Sequence, residues 1–241
     1  MKKSILSFLF LTLLITGSYA QNKKVAVVTF YAVKQIGLTD RGQNAMAAAS
    51  AKLSDDPKFD LKPLLKNFHD QFFENYAKGF PFQLLPEDQV VHNDIYKDFA
   101  PEDAGFNDIL KGNAYLPAYG YKAILPLKGN ANEKKLLEMF GQCDGIMKVY
   151  IGFDLESRGF GGMSLVKINA HANIVLFNRN GDKVFSVKKD AMSEKSGAQA
   201  AGIPFMTPEK ILPLCESAID ELMIVLQNDL PNMVKKADRK L

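Results

Sequence analysis

Leu165–Lys188 (LVKINAHANIVLFNRNGDKVFSVK) decides how the rest of the chain is read. Ile168, Ala170, Ala172, Ile174 and Leu176 recur at every second position, and Lys167, Asn169, His171 and Asn173 fill the alternate ones. A period of two puts the first set on one face of a strand and the second on the other. Asn180-Gly181 is a hairpin turn signal, so Asp182–Lys188 is predicted to return as the partner strand.

Upstream, Gly145–Leu155 (GIMKVYIGFDL) and Lys24–Val33 (KVAVVTFYAV) are rich in β-branched and aromatic residues and read as buried strands. Phe82–Leu85 and Tyr121–Leu127 (YKAILPL) are shorter strand candidates. Between them run helical patterns. Asp60–Lys78 carries Leu61, Leu64, Leu65, Phe68, Phe72 and Tyr76 on one stripe, with Asp60 as its cap and Gly79 as a left-handed stop. Gln43–Leu53 is an Ala-rich short helix, interrupted by Asp55-Asp56-Pro57. Another short helix starts at Pro101 and runs to about Lys111, and Asn132 caps one that ends at Phe140. Gly37–Gly42, Gly112–Gly120, the glycine-rich 157–164 (SRGFGGMS) and the small, polar 193–206 read as turns and loops. Thr207-Pro208-Glu209 opens a last helix with Ile211, Leu214, Ala218, Leu222 and Val225 inward, ended by Pro231 and followed by a frayed charged tail, 235–241. The order β-α-β-α-β-α-β-β-β-α predicts an α/β (α+β) fold: a mixed sheet with packed helices, a late hairpin and a C-terminal helix in a single domain, 21–241.

Residues 1–20 read as a secretory signal peptide. Lys2 and Lys3 precede an apolar run from Ile5 to Ile15, and Ser18-x-Ala20 fits the small-residue cleavage rule. A membrane anchor needs about 20 apolar residues, more than this run supplies. No Cys follows to be lipidated, and no later segment has the length and apolarity of a membrane span. The expected setting is the periplasm or the cell exterior. The net charge of +3 includes the two leader lysines, so the mature chain is close to neutral. That balance points away from nucleic acid. The chain has 2 cysteines, Cys143 and Cys215. Such a compartment permits one disulfide, while their apolar flanks fit buried free thiols equally well.

Site signatures are scarce. His69, His92 and His171 stand at no metal-ligand spacing, so no metal or cofactor is expected. Gly159, Gly161 and Gly162 precede a strand rather than the helix a phosphate loop uses, and read as a hairpin tip. Arg158 and Phe160 beside them are candidates for a partner-binding loop. Asp154 and Glu156 share a strand face and suit acid–base chemistry, calcium or plain solvation.

Four stretches resemble a family of envelope proteins, the curli-secretion channel lipoproteins and the N-terminal domain of the Tol-system periplasmic propeller protein. They are KVAVVTF (24–30) as first strand, FQLLPEDQVV (82–91) as second strand and turn, QCDGI (142–146) leading into a strand, and IVLFNRNGDKVF (174–185) as hairpin. The chain departs from that family in lacking a lipidated Cys and in carrying an extra segment at about 39–58. The resemblance implies a fold and an envelope setting and assigns no pore or partner residue.

Three functions are consistent with these readings. The first is an exported, non-enzymatic envelope protein that binds a partner, envelope protein or second copy, or assists assembly or transport. The second is a binder of a small molecule or lipid in a pocket between sheet and helices, marked by a large apolar cavity. The third is an enzyme with a site assembled from Asp154, Glu156 and His171, marked by their clustering.

Overall fold

The computed structural model describes residues 23–38, 50, 52–102, 114–126, 130–160, 163–200 and 207–241. The leader, the helix expected at 101–111, most of that expected at 43–53 and the hairpin tip at 161–162 lie outside the described residues.

Eight strands form one sheet: β1 (Lys24–Val33), β2 (Gly37–Leu38), β3 (Gln83–Leu84), β4 (Tyr115–Pro117), β5 (Gly145–Phe160), β6 (Met163–Asn178), β7 (Lys183–Met192) and β8 (Gly197–Ala200). The main path runs β3-β1-β5-β6-β7, with β4 added to β1, β2 to β5 and β8 to β6. β1 is parallel to β3 and β5, and β5, β6 and β7 are antiparallel neighbours. The sheet is mixed, as the order of elements implies. Among the described residues the α-helices that accompany it include α1 (Lys62–Glu74), α2 (Glu87–Val91), α3 (Asp94–Asp98), α4 (Ala131–Met139) and α5 (Pro208–Lys240).

Alternation along the strands builds the core. Ile168, Ala170, Ala172, Ile174 and Leu176 are all fully buried. They share their face with Phe30, Val149 and Ile151 through the strand registers. Phe68 and Phe72 of α1 meet Phe30 with ring centroids 5.5 Å away. α5 closes the same layer, and Tyr76, in the 3-10 turn after α1, donates its hydroxyl to the Met233 sulfur. The opposite face holds Thr29, Lys148 and Tyr150. There α4 covers Lys148, whose Nζ lies 2.5 Å from Glu133 Oε1 with both residues buried.

Tyr121–Leu127 is not a strand over its described part; residues 121–126 are irregular. Their backbone groups pair with side chains instead of a ladder. Lys122 N donates to the Tyr96 hydroxyl, Ile124 N to Thr29 Oγ1, and Leu125 O accepts from Lys148 Nζ. Buried peptide groups are thereby satisfied without a neighbour strand. Residues 115–117 and 37–38, expected in loops, pair with β1 and β5.

The connection at 157–164 is shorter than expected, because β5 runs to Phe160 and β6 resumes at Met163. The stretch from 193 is tied down at its start. Ser193 is fully buried, its Oγ accepts from Ile168 N and donates to Lys195 O, and β8 follows. Pro231 does not end α5, and the tail is not frayed within it. Leu226, Leu230, Met233 and Ala237 are buried on both sides of the proline, and that packing outweighs its cost of about 3 kcal/mol. Asn132 is buried and exchanges hydrogen bonds with the Glu102 backbone rather than capping α4. Gly79 has no positive φ. It is small because a Cβ there would lie 2.2 Å from Leu230 Cδ2. Cys143 and Cys215 are both buried as free thiols.

Candidate functional site

Asp154 and His171 face one another across β5 and β6, with the Asp154 carboxylate 3.2 Å from His171 Nδ1. Two glycines make room for them. A Cβ on Gly152 would lie 2.5 Å from His171 Nε2, and one on Gly37 would meet the Asp154 carboxylate at 1.9 Å. Glu156 stands one pair further along, opposite Lys167. The expected trio is thus a pair with a neighbour. Arg158 and Phe160 lie at the far end of β5, opposite Leu165 and Met163, and their side chains lie outside the described residues. His69, His92 and His171 sit on α1, after α2 and on β6, and do not meet. Among the described residues no group of three or more His, Cys, Asp or Glu is placed to share a metal ion.

The most developed site is a groove that strand periodicity did not indicate. One wall is the face of α1 carrying Lys62, Pro63, Leu65, Lys66, His69 and Asp70. These positions recur at helical spacing, so they line one side of the helix. The other wall is Leu116 to Tyr119, the end of β4 and its turn, and Glu87 at the start of α2 closes the floor. The space measures about 740 Å³. That falls among pockets that take small molecules. A second hollow of about 840 Å³ lies across Glu87 and is formed almost wholly by the run 77–87, so distant elements do not converge on it.

The floor is polar and already paired. His69 packs on Phe30 and Phe73 at centroid distances of 5.1 and 4.7 Å. Its Nε2 lies 2.6 Å from Glu87 Oε1 and its Nδ1 3.3 Å from Asp70 Oδ1. Burial alone pulls the imidazole pKa down. The hydrogen bond and charge of Glu87, followed by those of Asp70, outweigh that and hold it above the ordinary histidine value. A carboxylate thus lies against each ring nitrogen. Tyr121 is buried nearby with its hydroxyl unpartnered. Burial and the Glu87 charge push its pKa far up, keeping it neutral.

At the rim, Tyr119 has φ 32°, a left-handed backbone that bulky L-residues avoid, and its side chain is 67% exposed. Such strain clusters at binding sites, where surrounding structure holds it in place. Gly120 follows at φ 80° and completes the turn. Lys66 pairs with Asp70.

No family model matches the chain, and no curated protein matches it. Among solved structures, a neuraminyllactose-binding hemagglutinin homolog from Helicobacter pylori is 9% identical, with a TM-score of 0.39 over 91% of this chain and 89% of that one. The hypothetical protein CT253 from Chlamydia trachomatis is 9% identical, with a TM-score of 0.35 over 88% and 98%. Lipoprotein GNA1162 from Neisseria meningitidis is 12% identical, with a TM-score of 0.33 over 88% and 99%. Likeness at this level carries no argument about what this chain does.

Proposed function

We propose that the chain is exported and acts as a non-enzymatic binding protein of the cell envelope, with its ligand in the groove between α1 and β4. The groove carries this reading: two distant elements converge on a mainly apolar space with a few placed polar groups. His69 fits this reading as a fixed part of the floor, since both ring nitrogens lie against carboxylates of the chain itself. The three-part leader and the resemblance to envelope proteins support the compartment. Among the described residues no helix is long and apolar enough to cross a membrane.

A second reading, docking of an envelope partner or a second copy, is favoured by the extension where β8 pairs with the start of β6, itself paired with the far end of β5. Leu165 is 60% exposed there, opposite Arg158 and near Phe160.

The test uses 1-anilinonaphthalene-8-sulfonate as an apolar probe on the periplasmic protein and on Pro63→Trp, which fills the groove from an exposed lining position. The reading expects saturable dye fluorescence that Pro63→Trp abolishes, and a mature N-terminus at Gln21. Equal dye binding by both proteins, or retention of the leader in a cytoplasmic fraction, would overturn it.

A further inference from the structure

Charge bookkeeping around the groove narrows what it binds. The lining holds two ammonium groups, Lys62 and Lys66, the His69 imidazole, and two carboxylates, Asp70 and Glu87. His69 is matched to Glu87 and Lys66 to Asp70. Among the described residues Lys62 Nζ has no ion pair. The nearby Asp60 carboxylate is taken up by the Lys62 backbone N–H at 3.0 Å. The first turn of α1 contains no acidic residue, and its N-cap, Leu61, contributes no side-chain hydrogen bond. Among the described residues Lys62 Nζ is therefore the lining ammonium with no carboxylate on it, at one end of the groove, while the Asp60 carboxylate meets the first turn of the 13-residue helix.

The remaining lining is Pro63, Leu65, Leu116, Pro117, Ala118 and Tyr119. These offer apolar surface, and Pro63 and Pro117 bring no backbone N–H. The polar floor offers a ligand little, because both His69 nitrogens are occupied within the protein. A ligand that matches this arrangement has an apolar body with no internal polar groups and a single anionic head at Lys62. Resting on the reading of the groove as the binding site, we infer that its ligand is a monoanionic amphiphile of the fatty-acid class, with its carboxylate on Lys62 and its chain between α1 and the 116–119 wall. Tyr119, held out by its left-handed backbone, covers the chain at the mouth.

The chemistry separates this from other apolar ligands. A neutral alcohol of equal length gains the same burial and loses the charge contact. A cationic amphiphile meets Lys62 with like charge. A dianionic phosphate head brings a second charge, and the other lining ammonium, Lys66, is already paired with Asp70.

The experiment is isothermal titration calorimetry of the exported chain with dodecanoate, 1-dodecanol and dodecylammonium, each below its micelle or solubility limit. Wild type, Lys62→Gln, Lys62→Arg and Pro63→Trp are compared. Lys62 is exposed at a helix N-terminus, where loss of a cation does not oppose the helix dipole, so Lys62→Gln is expected to fold. Dodecanoate is expected to bind one to one, about five- to tenfold tighter than dodecanol, the scale of one charge-assisted contact at a half-open site. Dodecylammonium is expected to bind more weakly than dodecanol. Lys62→Gln should bring dodecanoate to the dodecanol level and leave dodecanol unchanged, Lys62→Arg should retain the preference, and Pro63→Trp should remove both.

If dodecanol and dodecanoate bind alike, Lys62→Gln moves neither and Pro63→Trp blocks both, the ligand class is wrong and the groove reading stands. If neither amphiphile binds wild type, or if Pro63→Trp leaves dodecanoate binding intact, the ligand assignment and the groove reading both fall.

Discussion

Replacing Glu133 with Gln would strand the Lys148 ammonium in the core. Both residues are 2% exposed, and Lys148 Nζ lies 2.5 Å from Glu133 Oε1 and 3.3 Å from Leu125 O. At an effective dielectric near 20, opposite charges at 2.5 Å attract by about 6 to 7 kcal/mol. Most of that gain offsets the desolvation of two ions, so the pair itself contributes little net stability. Removing one partner leaves the desolvation of the other uncompensated, a loss of about 3 to 5 kcal/mol. Burial holds the Lys148 pKa below the ordinary lysine value, Glu133 raises it and Lys183 lowers it. Without Glu133 the folded-state pKa falls further. The penalty is then fully present below that value and is relieved as pH climbs toward the unfolded lysine pKa, because the folded chain binds fewer protons than the unfolded one. Urea unfolding of Glu133→Gln should show a larger loss at pH 7 than at pH 9.5. The double variant Glu133→Leu, Lys148→Met should recover most of the wild-type stability. A loss under 1 kcal/mol, a pH-independent loss, or a double variant no better than the single one would refute the buried-pair argument.

Three further outcomes follow from the same geometry. The His69 pKa is held above its unfolded value, so its stabilisation is fully present below about pH 6.5 and is lost as pH rises through the folded pKa; proton NMR titration should show Glu87→Gln lowering that pKa, and an unchanged midpoint would contradict the pairing. Tyr119→Asn should relax the left-handed strain and stabilise the fold by up to about 1 kcal/mol in thermal or urea unfolding, while weakening binding in the groove, and a variant less stable than wild type would show that no strain is held there. Gly145→Ala should cost about 1 to 3 kcal/mol, since its Cβ would sit 2.3 Å from the Phe177 carbonyl oxygen, a backbone atom that cannot turn aside; urea unfolding within 0.5 kcal/mol of wild type would contradict this.

What was legible in the sequence was local. Alternation over 168–176 and the Asn180-Gly181 turn gave the central hairpin, with Gly181 at φ 83° and Asn178 Oδ1 accepting from Asn180 N and Asp182 N. The stripe of α1 was legible because Leu65, Phe68 and Phe72 repeat at helical spacing. Residues 121–127 were misread, because whether an extended apolar run pairs as a strand depends on its neighbours, and here Thr29 and Tyr96 take the backbone groups. Pro231 was misread because a proline signals a helix end only where packing does not hold both flanks. The meeting of Asp154 with His171 lay within reach, since both were placed on polar strand faces and the register, which sets Asp154 opposite Asn169 and His171 opposite Gly152, makes them diagonal neighbours. The groove was not. Lys62, Lys66, His69 and Asp70 mark one side of a helix, but Leu116–Tyr119 and Glu87 reach it only through long-range folding, and their local sequence reads as turn.

The central claim, that the groove is where this protein binds, is tested most directly by native mass spectrometry of residues 21–241, purified without unfolding, beside the Pro63→Trp variant. The account predicts one discrete additional mass on the wild-type chain and none on the variant. Bare chains in both, or an additional mass that persists in Pro63→Trp, would contradict it.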